Sequence, residues 1–296
     1  MENVQIEEYG SDLMEKNEPT KRPEEAAVAE DRLFGAPNFP LRPLLEEIPA
    51  LARCGADYLE LTLDVPRVLP QMVLQQKQEI EAALKQWRLD LPVAHMPVFV
   101  WTADFYENIR RASVDNVLEA MEGAPRLNVE GIVLHPGYLL APVVLGKERG
   151  ERLAMKSLEE MIARATELGL AVYLENMFPR TNYLVEAEDF VPVLEAFPRL
   201  QLTLDIGHAH IETPQNRAFA FLERWADRIG HVHLSDNTGK EDQHLPLGVG
   251  TVPLEGIVRE LKRTGYSGRF TVEVFSPDRD YLKLSLQKAR NLWTRV

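Results

Sequence analysis

The pattern that decides the fold is clearest in residues 200–208, LQLTLDIGH. Leucines at 202 and 204 alternate with Thr203 and Asp205, as in a β-strand that has one apolar and one polar face. His208 follows three residues after the aspartate. The stretch therefore predicts a strand whose polar face ends in groups that can carry chemistry.

The same kind of stretch recurs along the chain. We predict strands at residues 33–38, 57–64, 91–95, 130–135, 170–175, 200–205, 231–235 and 269–275. Helices are predicted between them, for example at 74–88, 148–168 and 254–263, where apolar residues recur three and four apart. Strands that alternate with helices eight times predict an α/β fold, a (β/α)8 TIM barrel. An open doubly wound sheet is the alternative, but no G-x-G-x-x-G motif follows a strand.

The first 32 residues differ from the rest of the chain of 296. They contain ten acidic and four basic residues and show no apolar period, so we expect an acidic N-terminal extension before a barrel at 33–296. The whole chain has 33 Lys and Arg against 46 Asp and Glu, a formal net charge of −13. This balance disfavours a nucleic-acid partner, because such binding relies on cations that neutralise phosphates.

Cysteine content and hydropathy indicate the compartment. Cys54 is the single cysteine, which excludes an intrachain disulfide and a zinc cluster built on cysteines. We predict a cytoplasmic protein, since a reducing compartment suits this composition. No run of about 18 apolar residues predicts a membrane span, and the acidic start of the chain is unlike a signal peptide. Cys54 itself is expected to be a core residue of a helix.

Six predicted strands have a metal-binding type of residue at the C-terminal end of their polar face: His95, His135, Glu175, Asp205, His233 and Glu273. These ends converge at one mouth when a barrel closes. Three more residues of these types, His208, Asp242 and His244, lie in the loops after the sixth and seventh strands. Mixed imidazole and carboxylate donors suit zinc, manganese, iron or cobalt better than calcium. A metal would also hold together carboxylates that otherwise repel one another.

These motifs resemble those of the xylose isomerase-like barrel superfamily, which includes sugar isomerases and epimerases and also endonuclease IV (AP endonuclease family 2). The resemblance covers residues 33–296. It rests on AH at 94–95, LHPG at 134–137, LEN at 174–176, LDIGH at 204–208, HVHLSD at 231–236, DQHLPLG at 242–248 and TVE at 271–273.

The resemblance implies one of two sites, with one to three divalent ions, zinc or manganese. The isomerase and epimerase branch holds one metal through four residues, which match Glu175, Asp205, His233 and Glu273, and its two glutamates act as acid and base. Endonuclease IV holds three zinc ions through nine residues. The matching set here adds His95, His135, His208, Asp242 and His244.

The chain departs from both branches. The loops after its first two strands are short and lack the glycine- and asparagine-rich segments with which endonuclease IV reads DNA, and no basic and aromatic stripe suggests a phosphate track. No arginine lies between Asp236 and Gly250, where several sugar epimerases place one that binds substrate.

We therefore predict a metal-dependent sugar or sugar-phosphate isomerase or epimerase, in which Glu175 and Glu273 exchange a proton with carbon through a metal-stabilised enediolate. A phosphoester hydrolase with a two- or three-metal site is the alternative, and a barrel that only binds a ligand is the third hypothesis.

The expected partner is a small sugar or phosphoester. Glu60, His210 and Trp101 are predicted to contact this substrate. A buried salt bridge is an equal alternative for Glu60, and loop packing is an alternative for Trp101. The sequence leaves the oligomeric state open.

Overall fold

The computed structural model describes residues 33–139 and 142–296. Within them, eight parallel strands pair in chain order, and the last pairs with the first to close a barrel. The strands are β1 (Phe34–Pro37), β2 (Tyr58–Thr62), β3 (Asp90–His95), β4 (Gly131–Leu134), β5 (Ala171–Glu175), β6 (Gln201–Asp205), β7 (Ile229–Leu234) and β8 (Arg269–Val272). The predicted TIM barrel is confirmed. The doubly wound alternative is wrong, because this sheet has no free edge.

Helices surround the barrel. In the described ranges the α-helices are α1 (Leu44–Cys54), α2 (Pro70–Gln75), α3 (Lys77–Trp87), α4 (Glu107–Gly123), α5 (Pro142–Leu145), α6 (Lys147–Glu167), α7 (Val191–Ala196), α8 (Ala218–Trp225), α9 (Leu254–Arg263) and α10 (Asp280–Arg295). The helix expected at 254–263 is α9, and that at 148–168 is α6. The helix expected at 74–88 is instead two helices that meet at Gln76, the first of which begins at Pro70 because proline suits the first helical position.

The period-two pattern correctly assigns the two faces of the strands. Leu202 and Leu204 belong to the same buried apolar cluster as Ile257 of α9, so this face packs on the helices. The opposite face points into the barrel, where the Tyr58 hydroxyl lies 2.8 Å from Thr271 Oγ1 on β8. The inward face is therefore polar along its length as well as at the mouth.

Strand register brings the ligand-type residues together. Asp205 at the end of β6 is paired with His233 on β7, and His95 at the end of β3 is paired with Thr62 on β2. His135 and Glu273 lie one residue beyond the ends of β4 and β8, because both strands are shorter than predicted. All of these residues face the same end of the barrel.

Three other expectations concern regions away from the mouth. Cys54 is buried at the end of α1 with a free thiol, as expected. None of the described helices is both long enough and apolar enough to cross a membrane. The acidic extension predicted for residues 1–32 lies outside the described residues.

Candidate active site

The nine residues predicted as metal ligands converge at the C-terminal mouth of the barrel. Six are buried, and three are partly exposed, with exposed side-chain fractions of 12% for His135, 21% for Asp242 and 19% for His244. They form three neighbouring groups, which share carboxylates and are described in turn.

The first group is built on Glu175, at the end of β5. Its Oε2 lies 3.3 Å from His95 Nε2 and 3.1 Å from His135 Nε2. His95 is oriented by its Nδ1–H, which donates to the Met96 carbonyl at 2.8 Å, and Nδ1 of His135 lies 3.2 Å from the Tyr138 hydroxyl. Both rings therefore direct their ε nitrogens at one carboxylate oxygen.

The central group surrounds His233, on β7. Its Nδ1 lies 3.1 Å from Glu175 Oε1, 3.5 Å from Glu273 Oε1 and 3.7 Å from Asp205 Oδ2. The other ring nitrogen, Nε2, lies 3.1 Å from Glu60 Oε1 inside the barrel. One imidazole nitrogen thus faces three carboxylates from three strand ends, while the other is held from below.

The third group repeats the arrangement of the first around Asp242. Its Oδ2 lies 3.3 Å from His208 Nε2 and 3.0 Å from His244 Nε2. Gly207 lets the chain turn tightly before His208, because a Cβ at that glycine would lie only 2.2 Å from Ser235 Oγ. The group joins the central one through His244 Nδ1, 3.6 Å from Glu273 Oε2.

The charges at the mouth are set by burial and by neighbouring histidines. Burial would raise the pKa of Glu175, but the charges and hydrogen bonds of His233 and His135 together outweigh it and hold that pKa well below its usual range. For Glu273 burial prevails and raises the pKa to about 7. Burial lowers the pKa of His244, yet the contact with Asp242 more than reverses this and raises it to about 9. In the metal-free protein, protonated histidines therefore balance part of the negative charge of the carboxylates at the mouth.

The donor set fits divalent metal ions. His95, His135 and Glu175 form one compact group of three donor atoms, and Asp205, His233 and Glu273 form another. Three atoms at the mouth, Asp205 Oδ2, Asp242 Oδ1 and His244 Nδ1, are buried and have no hydrogen-bond partner among the described residues. Buried polar atoms are normally paired, so these three are free to bind an ion.

A cavity of about 420 Å³ opens over these groups. Ligand-type residues such as Glu175, His208 and Glu273 lie at its inner end. Aromatic side chains form much of its walls: Phe39, Phe99, Tyr138, Phe178 and Phe275. The volume lies in the range of small-molecule sites, roughly 300–1,000 Å³.

The three residues predicted to contact substrate lie outside the lining of this cavity. Glu60 is fully buried below it and bonds to His231 and His233, in agreement with the salt-bridge alternative. The Nε2 of His210 lies 3.0 Å from Thr251 Oγ1 in the loop after β7. Trp101 packs edge-on against Tyr138, with ring centroids 5.6 Å apart, and it is Tyr138 that lines the cavity.

Sequence reasoning missed several of the residues that build the walls. Phe39, Phe178 and Phe275 each follow within a few residues of a strand end, at β1, β5 and β8. Asp64, two residues beyond β2, accepts hydrogen bonds from the amides of Val65 (2.7 Å) and Val98 (3.0 Å). The sequence did contain a signal for these wall residues: large apolar residues lie just beyond strand ends, where polar loop residues are expected.

Comparisons with known proteins agree with this geometry. Residues 48–293 match the family model described as xylose isomerase-like TIM barrel. Fructoselysine 3-epimerase of Escherichia coli O157:H7 is 28% identical over 63% of this chain and 69% of its own length. A probable endonuclease 4 of Aquifex aeolicus is 26% identical over 79% of this chain and 88% of its own length. The chain spans about two thirds of the length of several curated relatives that it matches.

Solved structures show the same likeness. The crystal structure of a D-tagatose 3-epimerase-like protein superimposes with a TM-score of 0.74 and 25% identity, over 89% of this chain and 98% of that one. The family model covers most of the barrel and all nine ligand-type residues. The chain therefore belongs to the xylose isomerase-like TIM barrel family.

Proposed function

We propose that this chain is a metal-dependent sugar isomerase or epimerase. The observation that carries the proposal is the cavity of about 420 Å³, which is lined by both Glu175 and Glu273. A cavity with that volume and aromatic walls suits a sugar-sized molecule better than a duplex nucleic acid. Relatives that are sugar epimerases support the same reading.

Two carboxylates on different strands are what the reaction requires. Glu175 on β5 and Glu273 beyond β8 approach the same nitrogen, His233 Nδ1, at 3.1 and 3.5 Å. A substrate carbon placed above this nitrogen would have one carboxylate on each side. One glutamate would then remove the proton of a C–H bond next to a carbonyl, and the other would return a proton to the opposite face.

Glu175, Asp205, His233 and Glu273 would hold the catalytic ion, which we expect to be zinc or manganese. When bound, such an ion acts as a Lewis acid toward negative charge that develops on the substrate oxygens. The chain orients these donors in advance. The Asp205 amide donates to Asn176 Oδ1 at 2.8 Å, and the Asn176 side-chain amide donates to the Asp205 carbonyl at 3.0 Å.

The partner that we infer is a small sugar, without a nucleic-acid or membrane partner. The net charge of −13 supports this choice, because phosphate backbones are repelled by such a chain. A cytoplasmic location belongs to the same proposal and rests on the single cysteine, Cys54.

Exchange of hydrogen with solvent tests the proposal without knowledge of the product. Protein stripped of metal and reloaded with Mn²⁺, Zn²⁺, Co²⁺ or Mg²⁺ is incubated in D₂O with a panel of ketoses and aldoses, and deuterium at carbon is followed by NMR. We expect metal-dependent incorporation next to the carbonyl of at least one sugar. Absence of incorporation from the whole panel with every metal would contradict the proposal.

Phosphoester hydrolysis is the second candidate function. The third group, His208, Asp242 and His244, favours it, because a one-metal isomerase does not need those ligands. Elemental analysis of protein purified without chelator separates the two. Close to three zinc ions per chain, with hydrolysis of bis(4-nitrophenyl) phosphate or cleavage at an abasic site, would favour the hydrolase. One ion per chain with deuterium exchange would favour the isomerase.

A further inference from the structure

We propose that the substrate of this site is a sugar that carries an apolar substituent, and not a sugar with a phosphate at its far end. The inference rests on the proposed isomerase or epimerase function and names the substrate class for it. The part of the cavity that carries the argument is the apolar wall, which consists of Phe39, Leu41, Val65, Val98, Phe99 and Phe275.

The apolar wall is continuous with the ligand groups. The ring of Phe275 lies edge-on to that of His244, with centroids 4.6 Å apart, and Phe39 lies 6.0 Å beyond Phe275. A sugar whose reacting carbon lies over Glu175 and Glu273 would therefore extend on the His244 side into contact with aromatic rings. Hydroxyl groups gain little there, whereas an alkyl or aryl group buries apolar surface.

Backbone contacts hold the apolar wall in place without a ligand. The Phe39 amide donates to Glu47 Oε2 at 2.8 Å, behind the cavity. The Asp64 carboxylate, which lines the cavity but is only 4% exposed, accepts from the amides of Val65 and Val98. Its oxygens thus accept hydrogen bonds from the loops after β2 and β3, so this carboxylate, which adjoins the apolar wall, serves to position Val65 and Val98.

Several side chains of the apolar wall are largely exposed to solvent, which indicates a surface that contacts a ligand. Phe99 is 74% exposed, Leu41 is 58% exposed and Val65 is 50% exposed, although all three line the cavity. Large apolar side chains grouped at the rim of a site are typical of ligand or partner contact. Their continuity with the ligand groups makes the far end of the substrate the occupant that we infer.

Among the described residues, the cavity has no arginine or lysine that could hold a phosphate at the far end of a sugar. Phosphate is bound in proteins chiefly by arginine and lysine, and neither type occurs among the described residues that line the cavity. In the glycine-containing loop after β7, another place where barrels bind phosphate, several amides already donate to other groups of the protein. Gly248 donates to Asp236 Oδ2 at 2.7 Å, and Thr251 donates to the Asn237 carbonyl at 2.8 Å.

Three matched substrates test the inference on the metal-loaded protein. They are the ketohexose that exchanges best with D₂O, its 6-phosphate and its 6-O-benzyl ether. We expect kcat/KM for deuterium exchange to be at least tenfold higher for the benzyl ether than for the phosphate, mainly through a lower KM. A phosphate that reacts as well as the ether, or better, overturns the inference and leaves the proposed function intact. If no sugar of the panel exchanges, so that no parent ketohexose can be chosen, the proposed function itself is contradicted.

Variants of the apolar wall locate the effect. Phe99→Ala and Leu41→Ala change exposed side chains, so folding should be unaffected. Each should remove most of the preference for the benzyl ether, measured as the ratio of kcat/KM for the ether to kcat/KM for the phosphate. Leu41→Lys should also improve the phosphate. Leu284→Ala on α10 removes a side chain that is 60% exposed elsewhere and is the matched control. A preference that survives both alanine variants overturns the assignment of this wall.

Discussion

Two clusters of the same residue types lie one above the other in the barrel and behave differently. The floor cluster is Glu60, His231 and Thr271, and the mouth cluster is the set of nine ligand-type residues. In the floor cluster Glu60 Oε2 lies 2.8 Å from His231 Nε2 and also accepts from the Thr271 hydroxyl, while its Oε1 is bonded to His233. Every carboxylate oxygen of the floor cluster therefore has a partner.

The mouth cluster differs in two ways. Three of its buried atoms, on Asp205, Asp242 and His244, have no hydrogen-bond partner among the described residues, and its carboxylates border a cavity. Carboxylates and imidazoles on the inward face of a barrel are thus not sufficient to make a site. Access from the cavity and buried donor atoms that lack a hydrogen bond distinguish the mouth cluster, which can bind a ligand, from the floor cluster, which supports it.

The largest effect should come from removal of a charge at the mouth. Glu175→Gln and Glu273→Gln each keep the shape of the side chain but cannot take up a proton, so we expect deuterium exchange to fall by about 10²–10⁴-fold. Rates of exchange at saturating sugar measure this loss. Glu195→Gln, an exposed glutamate on α7, is the matched control and should keep full activity. Loss of less than tenfold in both active-site variants would remove these glutamates from proton transfer.

Substitution in the floor cluster should act first on stability. Glu60→Ala leaves His231 and His233 without their buried acceptor, and breaking such a buried pair costs roughly 3–5 kcal/mol of unfolding free energy. Glu60→Gln keeps an acceptor and the volume, so the loss should be smaller. Urea unfolding of both variants measures the difference.

Glu60→Gln should also weaken the metal site without touching it. Glu60 is the partner that orients the His233 ring so that Nδ1 faces the three carboxylates. Partners of this kind typically change metal affinity by about 10–100-fold, which titration with Co²⁺ followed by absorbance measures. Unchanged affinity in a folded Glu60→Gln protein would show that the floor cluster has a structural role alone.

Metal binding at the mouth cluster should release protons and should therefore depend on pH. The pKa of His244 is raised to about 9 although burial opposes it, because Asp242 bonds to the ring, and a ligating histidine must lose that proton. Metal affinity should therefore increase as the pH rises toward 9, with protons released below it. Calorimetric titrations in two buffers of different ionisation enthalpy count these protons. Equal heats in both buffers would contradict this assignment.

The stability of the metal-free protein should change in the opposite sense. Because the folded pKa of His244 exceeds the unfolded value of about 6.5, the contact with Asp242 stabilises fully below pH 6.5. The stabilisation is lost as the pH rises through about 9. Urea midpoints across this range measure it, and His244→Gln should flatten the dependence.

The difference between the clusters also explains what the sequence could predict. Alternation in stretches such as 200–208 assigns each residue to a face, and closure of the barrel brings strand ends such as Asp205 and His233 together. The eight strands and the meeting of the six ligand-type residues at strand ends followed from these two rules, whereas His208, Asp242 and His244 were predicted only from their place in the loops that follow strands at the same mouth. Neither rule says whether a polar side chain has a hydrogen-bond partner. The sequence therefore could not decide whether Glu60 bonds to His231 in the floor cluster or contacts a ligand at the mouth.

The loop residues that line the cavity were hard to predict for a related reason. A loop has no period, and the direction of its side chains depends on contacts with distant segments. The loop after β3 is held by the Asp64 bond to Val98 and by the Trp101 amide, which donates to Ser113 Oγ on α4 at 2.9 Å. These contacts place Phe99 at the cavity and Trp101 behind Tyr138.

The smallest effect should come from the two loop residues that lie outside the cavity lining. Trp101 does not line the cavity. Trp101→Ala should therefore raise KM by less than about threefold, because Tyr138 still forms the wall. Tyr138→Ala should have a larger effect, since its ring lines the cavity and its hydroxyl lies 3.2 Å from His135 Nδ1. His210→Ala should likewise stay near the parent value, because His210 faces Thr251.

Steady-state kinetics on the best sugar rank the three variants. A larger loss for Trp101→Ala or His210→Ala than for Tyr138→Ala would mean that the loops rearrange around substrate and bring those residues into contact with it.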